Sequence, residues 1–381
     1  RICSAAHSLH LYPPAGLHGP GAEAAGREMK GKTRAVPLAT LIADAVASNR
    51  FFYSFEYSAA RDPRPEDLQR RVARMGDDLR PLWIDLTWGF GDVGARTVAA
   101  ARHIQKATGL PVLMHLICTD MTVADLDAAL DAALLAGVRA ILVMRGYTQA
   151  GYDCWQPCAG GLQHADDLVR HIRRRHGAHF SLGVVGFPEA HPESRAGAGA
   201  ATEAERAEDV RRLKRKVDAG ADFVICQFTF DAATWGSFLR RCRAEGIRVP
   251  ILPGVQPLTE YASARLLASS WRVELPAEVG ANLRALQGDA EGARACGAAF
   301  VAAVCDATLR QAAGSGEGLG LHVFVYDGEV ETRALLEALA AQGWRRGQLP
   351  PDPPPAPSPA RPPAAALAIA EGRRGSTTAV H

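Results

Sequence analysis

Short apolar runs recur along the chain, and each precedes a longer stretch with apolar residues on one helical face. Runs of this kind predict buried strands, and the longer amphipathic stretches predict helices. The predicted strands are FFYSFEY at 51–57, LWIDLTWG at 82–89, VLMHLICT at 112–119, AILVMRG at 140–146, SLGVVGFP at 181–188, FVICQFTF at 223–230, PILPGVQP at 250–257 and LHVFVYDG at 321–328.

Eight strand–helix units over about 300 residues match the α/β class and, within it, a (β/α)8 TIM barrel. A doubly wound open sheet is the alternative. The barrel is favoured by polar residues near the carboxyl ends of the predicted strands: Glu56, Thr87, Thr119, Arg145, Gln227 and Gln256. The carboxyl-terminal face of such a barrel carries its chemistry.

The two ends of the chain lack the pattern of the middle. Residues 1–35 show neither a helical nor a strand period and do not resemble a signal peptide. Beyond 347 the sequence becomes dense in proline, which favours an extended, solvated chain. We therefore expect a disordered extension over 1–35, a folded domain over 36–347 and a proline-rich disordered tail over 348–381.

Composition excludes several classes of partner. The 43 lysines and arginines nearly balance the 41 acidic residues, so we expect no nucleic-acid surface. No apolar run reaches the length of a membrane span. The eight cysteines are scattered, which favours a reducing, cytoplasmic location. The closest pair, Cys154 and Cys158, lacks matching ligands, and we predict no metal site.

One carboxylate, Glu56, interrupts the aromatic run FFYSFEYSAARD at 51–62. An unpaired buried charge is costly, so three explanations are open: a salt bridge to a residue such as Arg61, a shifted pKa, or a strand end that faces a cleft. The chain has no G-x-G-x-x-G after its first strand and no P-loop, so any cofactor is held in another way.

From Phe51 to about Trp344, a series of motifs resembles the methylenetetrahydrofolate reductase family. The matching segments are SFE at 54–56, DLTWG at 85–89, MHLICT at 114–119, ILVMRG at 141–146, HADDLVRHIR at 164–173, VVGFPEAHPE at 184–193, LKRKVDAGADFVICQFTFD at 213–231, PILPGVQPLTEY at 250–261 and GLHVFVYD at 320–327. The segment YDCWQPCAGGLQ resembles the longer loop of eukaryotic members. We expect their catalytic barrel without their regulatory domain.

The resemblance implies a flavoprotein oxidoreductase of one-carbon metabolism and methionine biosynthesis. It would bind FAD on the barrel's carboxyl-terminal face, take a hydride from NADH or NADPH, and reduce 5,10-methylenetetrahydrofolate to 5-methyltetrahydrofolate. Its partners would be the small molecules folate and nicotinamide. The choice of nicotinamide and the oligomeric state, including a homo-oligomer, stay open.

The resemblance also implies roles for individual residues. Glu56 aligns with the general acid that protonates N10 of the folate, and burial is expected to favour its neutral form. Gln227 and Phe324 fall at substrate-binding positions. The positions that contact FAD in the family are Thr87, His115, Arg145, Gly146, Tyr147, His164, Ala165, Phe187, His191, Asp209 and Lys216.

Without the resemblance, several of these residues have simpler explanations. Asp209 and Lys216 would be solvated residues of a charged helix. His115 would be a hydrogen-bonded core histidine, and Gln227 would bond within the barrel.

Some positions depart from the family pattern. Tyr147 replaces an aspartate that lies near the flavin and the pterin. Where relatives read HFYTLNR, this chain reads HVFVYDG, so Phe324 replaces a tyrosine and Gly328 an arginine, both of which contact folate. Two alternatives follow: a flavin oxidoreductase of the same barrel type with another substrate, and a degenerate FAD-binding protein without turnover.

Overall fold

The strands form a closed parallel barrel in the order β1 to β8. This computed structural model describes residues 36–59, 64–88, 92–146, 148, 154–197, 199–326 and 328–349. The strands are β1 Phe52–Ser58, β2 Ile84–Thr87, β3 Val112–Ile117, β4 Ala140–Met144, β5 Ser181–Gly186, β6 Phe223–Phe228, β7 Ile251–Val255 and β8 Gly320–Phe324. The predicted (β/α)8 barrel is confirmed, and the open sheet is excluded because β1 pairs with both β2 and β8.

Helices surround the barrel, and most of them connect one strand to the next. Within the described residues they are α1 Leu38–Ala47, α2 Pro65–Leu79, α3 Asp92–Thr108, α4 Val123–Leu135, α5 Ala165–His176, α6 Glu203–Asp218, α7 Ala232–Ala244, α8 Tyr261–Trp271, α9 Ala277–Ala285, α10 Ala290–Ser315 and α11 Glu329–Ala341, with a short 3₁₀ helix at Pro192–Ser194. Capping residues stand at the amino-terminal ends of several of these helices. Thr122, for example, accepts a hydrogen bond from the backbone N–H of Asp125 at the start of α4.

From β2 onward, each strand ends two to four residues before the predicted end. The apolar run continues past the ladder because its last residues turn into the following loop. After β3, for example, the backbone N–H groups of Cys118 and Thr119 both donate to the carbonyl of Arg145. Of the polar strand-end residues, Thr119, Arg145 and Gln256 therefore lie on the loops that follow their strands.

The amino-terminal half of the barrel interior is apolar and is covered by α1. Alternate residues along the strands point inward. Leu38 and Ile42 of α1 are buried against them, and the N–H of Ala39 donates to Ser181 Oγ at 3.1 Å. The apolar interior residues include Phe52, Trp83, Leu113, Leu142, Phe223, Ile225 and Leu252.

Helix α10 is an exception to the expectation that no apolar segment is long enough for a membrane span. By length and composition alone, this helix of 26 residues is long and apolar enough to cross a membrane. Val301, Ala302 and Leu309 of this helix are buried, and it packs against α7, α9 and α11. Its apolar character is that of a helix packed in the core.

The expected extension at 1–35 lies outside the described residues, as does almost all of the expected tail. The packed region does include Gln348, because the N–H of Phe51 donates to its carbonyl at 2.9 Å. The N–H of Gly347 donates in turn to the carbonyl of Phe51 at 2.7 Å. Any truncation of the tail should therefore begin beyond Gln348.

Ile42→Ala should lower the free energy of unfolding by about 2 to 5 kcal/mol, because it leaves a cavity between α1 and the barrel interior. The midpoint of urea denaturation measures the loss. Leu135→Ala is the matched control, since that side chain is 88% exposed. Equal stability of the two variants would show that α1 does not cover the barrel as described.

Candidate functional site

Above the apolar layer the barrel interior becomes polar. Ser54, Asp85, His115 and His322 are all buried there, and each lies on a different strand among β1, β2, β3 and β8. The ladders bring them together: Ser54 is level with His322, and Glu56 is level with Asp85. Glu56 is only 5% exposed and lies at the carboxyl-terminal end of this layer.

Glu56 and His322 form the closest ion pair of the interior. His322 Nε2 lies 3.1 Å from Glu56 Oε2, and His322 Nδ1 lies 2.9 Å from Ser54 Oγ. His115 Nε2 is 3.6 Å from the same oxygen of Glu56. The carboxylate therefore has two imidazoles on one oxygen.

Asp85 is fully buried and connects the two histidines. Its Oδ2 lies 3.3 Å from His115 Nε2, and its Oδ1 lies 3.6 Å from His322 Nδ1. Oδ1 also accepts a hydrogen bond of 2.6 Å from the indole N–H of Trp83. Both carboxylate oxygens thus have partners, which is what burial of a carboxylate requires.

The electrostatics of the pair place the proton on the histidine. Burial raises the pKa of Glu56, but the charge of His115, the hydrogen bond and charge of His322 and a hydrogen bond from Tyr326 outweigh it and lower the pKa. Burial lowers the pKa of His322, but the charge of Asp85 and the contact with Glu56 raise it above its ordinary value.

The expectation that burial keeps Glu56 neutral is therefore wrong for the free protein. The desolvation effect is present, but buried partners on other strands exceed it. The salt bridge considered for Glu56 from the sequence was with Arg61, which lies outside the described residues. Within the described part its partners are His322, His115 and Tyr326.

The same residues are close enough together to suit a metal ion. One ligand atom each from Glu56, Asp85 and His322 lies within 4.8 Å of the others. Their donors and acceptors already satisfy one another, so the arrangement is that of a proton network.

The cysteines of the described part are free thiols, including Cys154 and Cys158.

A second cluster lies on the loops that follow β4 and β5. Arg145 Nη2 lies 2.5 Å from Glu193 Oε2, and Thr148 Oγ1 donates to Glu193 Oε1 at 2.8 Å. The guanidinium of Arg145 also lies over the ring of Trp155, 5.0 Å from its centroid. The indole N–H of Trp155 donates to Thr119 Oγ1 at 2.8 Å, so the cation is held from two sides.

His191 is neutral at ordinary pH within this cationic cluster. Burial and the positive charges of Arg145, Lys216 and Arg212 lower the pKa of His191 to about 4, against the opposing charge of Glu193. Its Nδ1 accepts a hydrogen bond from the N–H of Glu193 at 3.2 Å.

Helix α6 contributes two further charged groups to this region. Asp209 is buried and accepts a hydrogen bond of 3.4 Å from the N–H of His191. Lys216 donates to the carbonyl of Val185 and is only partly exposed. Burial raises the pKa of Asp209 and lowers that of Lys216, and the two charges oppose these shifts in each other. Neither is a plain solvated helix residue.

Most of the remaining predicted residues lie at or just beyond strand ends, and two lie at the start of α5. Gly146 follows β4 with a φ of +95°, and a Cβ there would lie 2.1 Å from Thr119 Oγ1, so only glycine fits. Tyr147 lies outside the described residues. The others are Thr87 at the end of β2, His164 and Ala165 at the start of α5, Phe187 after β5, Gln227 in β6 and Phe324 at the end of β8.

Gln227 and Phe324 have contacts of their own within the barrel mouth. Gln227 Oε1 accepts a hydrogen bond of 3.0 Å from the N–H of Phe228. The ring of Phe324 packs edge-on against Phe228 and His322. The amide N–H₂ group of Gln227 is not used in that bond.

Sequence reasoning missed Ser54, Asp85 and His322 as members of the site. Each lies two residues from a strand-end position that was recognised, namely Glu56, Thr87 or Phe324 in the same strand. A polar residue at that spacing inside an apolar strand is the signal, because residues two apart face the same side.

The sequence matches the family model described as methylenetetrahydrofolate reductase over residues 41–340. The chain belongs to this family. Methylenetetrahydrofolate reductase 2 of Saccharomyces cerevisiae is 33% identical over 290 residues, which are 75% of this chain and 46% of that protein. Methylenetetrahydrofolate reductase (NADH) 1 of Zea mays is 34% identical over 270 residues, which are 70% of this chain and 45% of that protein.

A bacterial methylenetetrahydrofolate reductase also matches. The 5,10-methylenetetrahydrofolate reductase of Escherichia coli is 31% identical over 247 residues, which are 64% of this chain and 77% of that protein. The chain spans about half the length of the eukaryotic relatives named above and most of the length of the bacterial one. The shared region contains the barrel.

Asp85→Asn should lower the pKa of His322, because the charge of Asp85 raises it. Nitrogen-15 NMR of the imidazole measures the titration, and His322→Gln assigns the signal. Asp131→Asn, which changes an exposed partner of Arg175, is the control and should leave the titration unchanged. An unmoved His322 signal in Asp85→Asn would contradict the interior network.

Proposed function

We propose that this protein reduces 5,10-methylenetetrahydrofolate to 5-methyltetrahydrofolate with NADH or NADPH. The observation that carries the proposal is the Glu56–His322 pair at the carboxyl-terminal end of the barrel interior. The reaction needs a proton at N10 of the folate, where the five-membered ring opens. The family relationship supports the same reaction.

The pair is suited to deliver one proton. With the proton on His322, Nδ1–H donates to Ser54 Oγ and Nε2–H donates to Glu56 Oε2. As Glu56 gives a proton to N10, His322 passes its Nε2 proton to Glu56. The pair is then left with a neutral imidazole and an ionised carboxylate, and one proton has moved to the substrate.

The residues around Arg145 fit FAD, which would supply the hydride relay between nicotinamide and folate when bound. Arg145, Lys216 and Arg212 bring positive charge to the same place, as the lowered pKa of His191 reflects. Such charge suits a pyrophosphate. Thr87, His164, Ala165, Phe187 and Asp209 would complete the site.

The folate side of the mouth supports a second candidate, a flavin oxidoreductase with a different electrophile. Phe324 cannot donate or accept a hydrogen bond, and its ring is 7% exposed. Gly328 begins α11 without a side chain. Gln227 would still offer its amide to a pterin edge. Turnover of methylenetetrahydrofolate by the reduced protein decides between the two.

Glu56→Gln should slow reduction of methylenetetrahydrofolate about a hundredfold or more, because the general acid is lost. Oxidation of NADH or NADPH by the same variant should stay near the wild-type rate, since that step needs no proton at N10. Stopped-flow absorbance separates the two half-reactions. Glu203→Gln, whose exposed carboxylate pairs with Arg241, is the control. Equal damage to both half-reactions would make Glu56 a structural residue.

The purified protein should carry FAD, and Arg145→Met should weaken FAD binding about 10- to 100-fold, the range expected for a charge-assisted hydrogen bond. Fluorescence of the flavin released on denaturation measures the FAD content. Titration of the apoprotein with FAD measures the affinity. Arg175→Met, which removes a surface cation paired with Asp131, should bind FAD normally. A folded wild-type protein that takes up no FAD would overturn the cofactor assignment.

A further inference from the structure

Tyr326 lies just beyond β8 and contacts Glu56 through both backbone and side chain. Its backbone N–H donates to the carbonyl of Glu56 at 3.2 Å, beside that of Val325 at 3.0 Å. Its phenol hydrogen-bonds the carboxylate of Glu56. The residue is half-buried, so the ring is not placed there by core packing alone.

The backbone of Tyr326 is held in an uncommon conformation. Its φ is +44°, in the left-handed region that bulky residues rarely adopt. The guanidinium of Arg71 in α2 donates to its carbonyl at 2.6 Å, and the N–H of Gly328 donates to the carbonyl of Val325 at 2.6 Å. Strain of this kind persists where surrounding contacts impose it, and it concentrates at functional sites.

The ring of Tyr326 extends the row of side chains that begins with His322. It stacks on Phe324 with centroids 6.0 Å apart and planes 17° apart, and Phe324 packs edge-on against His322 at 5.0 Å.

We propose that Tyr326 is a positioning residue, which fixes the carboxylate of Glu56 for proton transfer. It does not touch the reacting atoms in this role and acts through Glu56. The role rests on the proposed function of Glu56 as a proton donor.

The groups that face Glu56 come from every neighbouring element. They are Asp85 on β2, His115 on β3, His322 on β8 and Tyr326 on the loop that follows. The hydroxyl stabilises the ionised carboxylate. Its removal should therefore raise the pKa of Glu56 and move the shared proton from His322 towards the carboxyl group.

The test is a titration that does not depend on turnover. Carbon-13 NMR of the full chain with labelled glutamate carboxyls follows Glu56, whose signal is identified by its loss in Glu56→Gln. In Tyr326→Phe the titration midpoint of this signal should rise, because the hydrogen bond that stabilises the ionised carboxylate is lost. Tyr261→Phe, whose hydroxyl contacts Arg284 at the surface, should match the wild type.

Kinetics give a second measurement on the same variants. A general acid must be protonated, so the rate of folate reduction falls as pH rises through the pKa of the donor. With Tyr326→Phe this descending limb should move to higher pH while FAD content stays unchanged. A moved titration with no folate turnover in any protein would leave the Tyr326 contact standing and remove the proposed reaction.

The proposal on Tyr326 fails if folded Tyr326→Phe titrates like the wild type. If that variant does not fold, Tyr326→Leu repeats the measurement with a second side chain that lacks the hydroxyl. Loss of folding in both variants would give Tyr326 a structural role and overturn the positioning role.

Discussion

Closure of the barrel between its first and last strands is the constraint on which the site depends. The β1–β8 ladder places Ser54 level with His322 and Glu56 level with Phe324, across a separation of more than 260 residues. Without that ladder Glu56 would lose His322, its nearest charged partner. With it, the charge has an imidazole 3.1 Å away. The same pairing that removes the sheet's edges therefore compensates the buried charge.

The two polar regions of the molecule are built in different ways. The interior network consists of side chains on strands, whose positions the ladders fix. The cationic cluster around Arg145 consists of loop and helix residues, and it depends on contacts such as the indole of Trp155 above the guanidinium. The groups for which we propose proton transfer are thus held by the sheet. The groups proposed to bind FAD are held by loops and by α6 at the carboxyl-terminal face.

Much of the fold could be predicted from the sequence, because strands buried on both faces are nearly continuous apolar runs. Their number and order, and the polar residues at their ends, needed no tertiary information. The strand ends were less predictable, since apolar residues such as Cys118 continue past the ladder into loops. The role of α1 as a cover for the barrel also depends on contacts distant in sequence, as the bond from Ala39 to Ser181 illustrates.

The site was predictable only in part, for the same physical reason. Glu56 was recognisable as a carboxylate within an aromatic, apolar strand. The direction of its pKa shift, however, depends on His115 and His322, which lie on other strands. Asp85 and His322 were hidden inside apolar runs. The left-handed backbone of Tyr326 is accompanied by a hydrogen bond from Arg71, which lies on a helix distant in sequence. No local pattern indicates such a contact.

The apolar layer beneath the network also determines how the site exchanges with solvent. Phe52, Trp83 and Leu113, covered by Leu38 and Ile42 of α1, close that end of the barrel with buried apolar side chains. Exchange of protons between His322 and solvent is therefore expected through the carboxyl-terminal mouth. A ligand seated in that mouth would isolate the network from bulk water. The Glu56–His322 pair would then hold one proton, taken up while the mouth is open to water and transferred once for each ligand that binds.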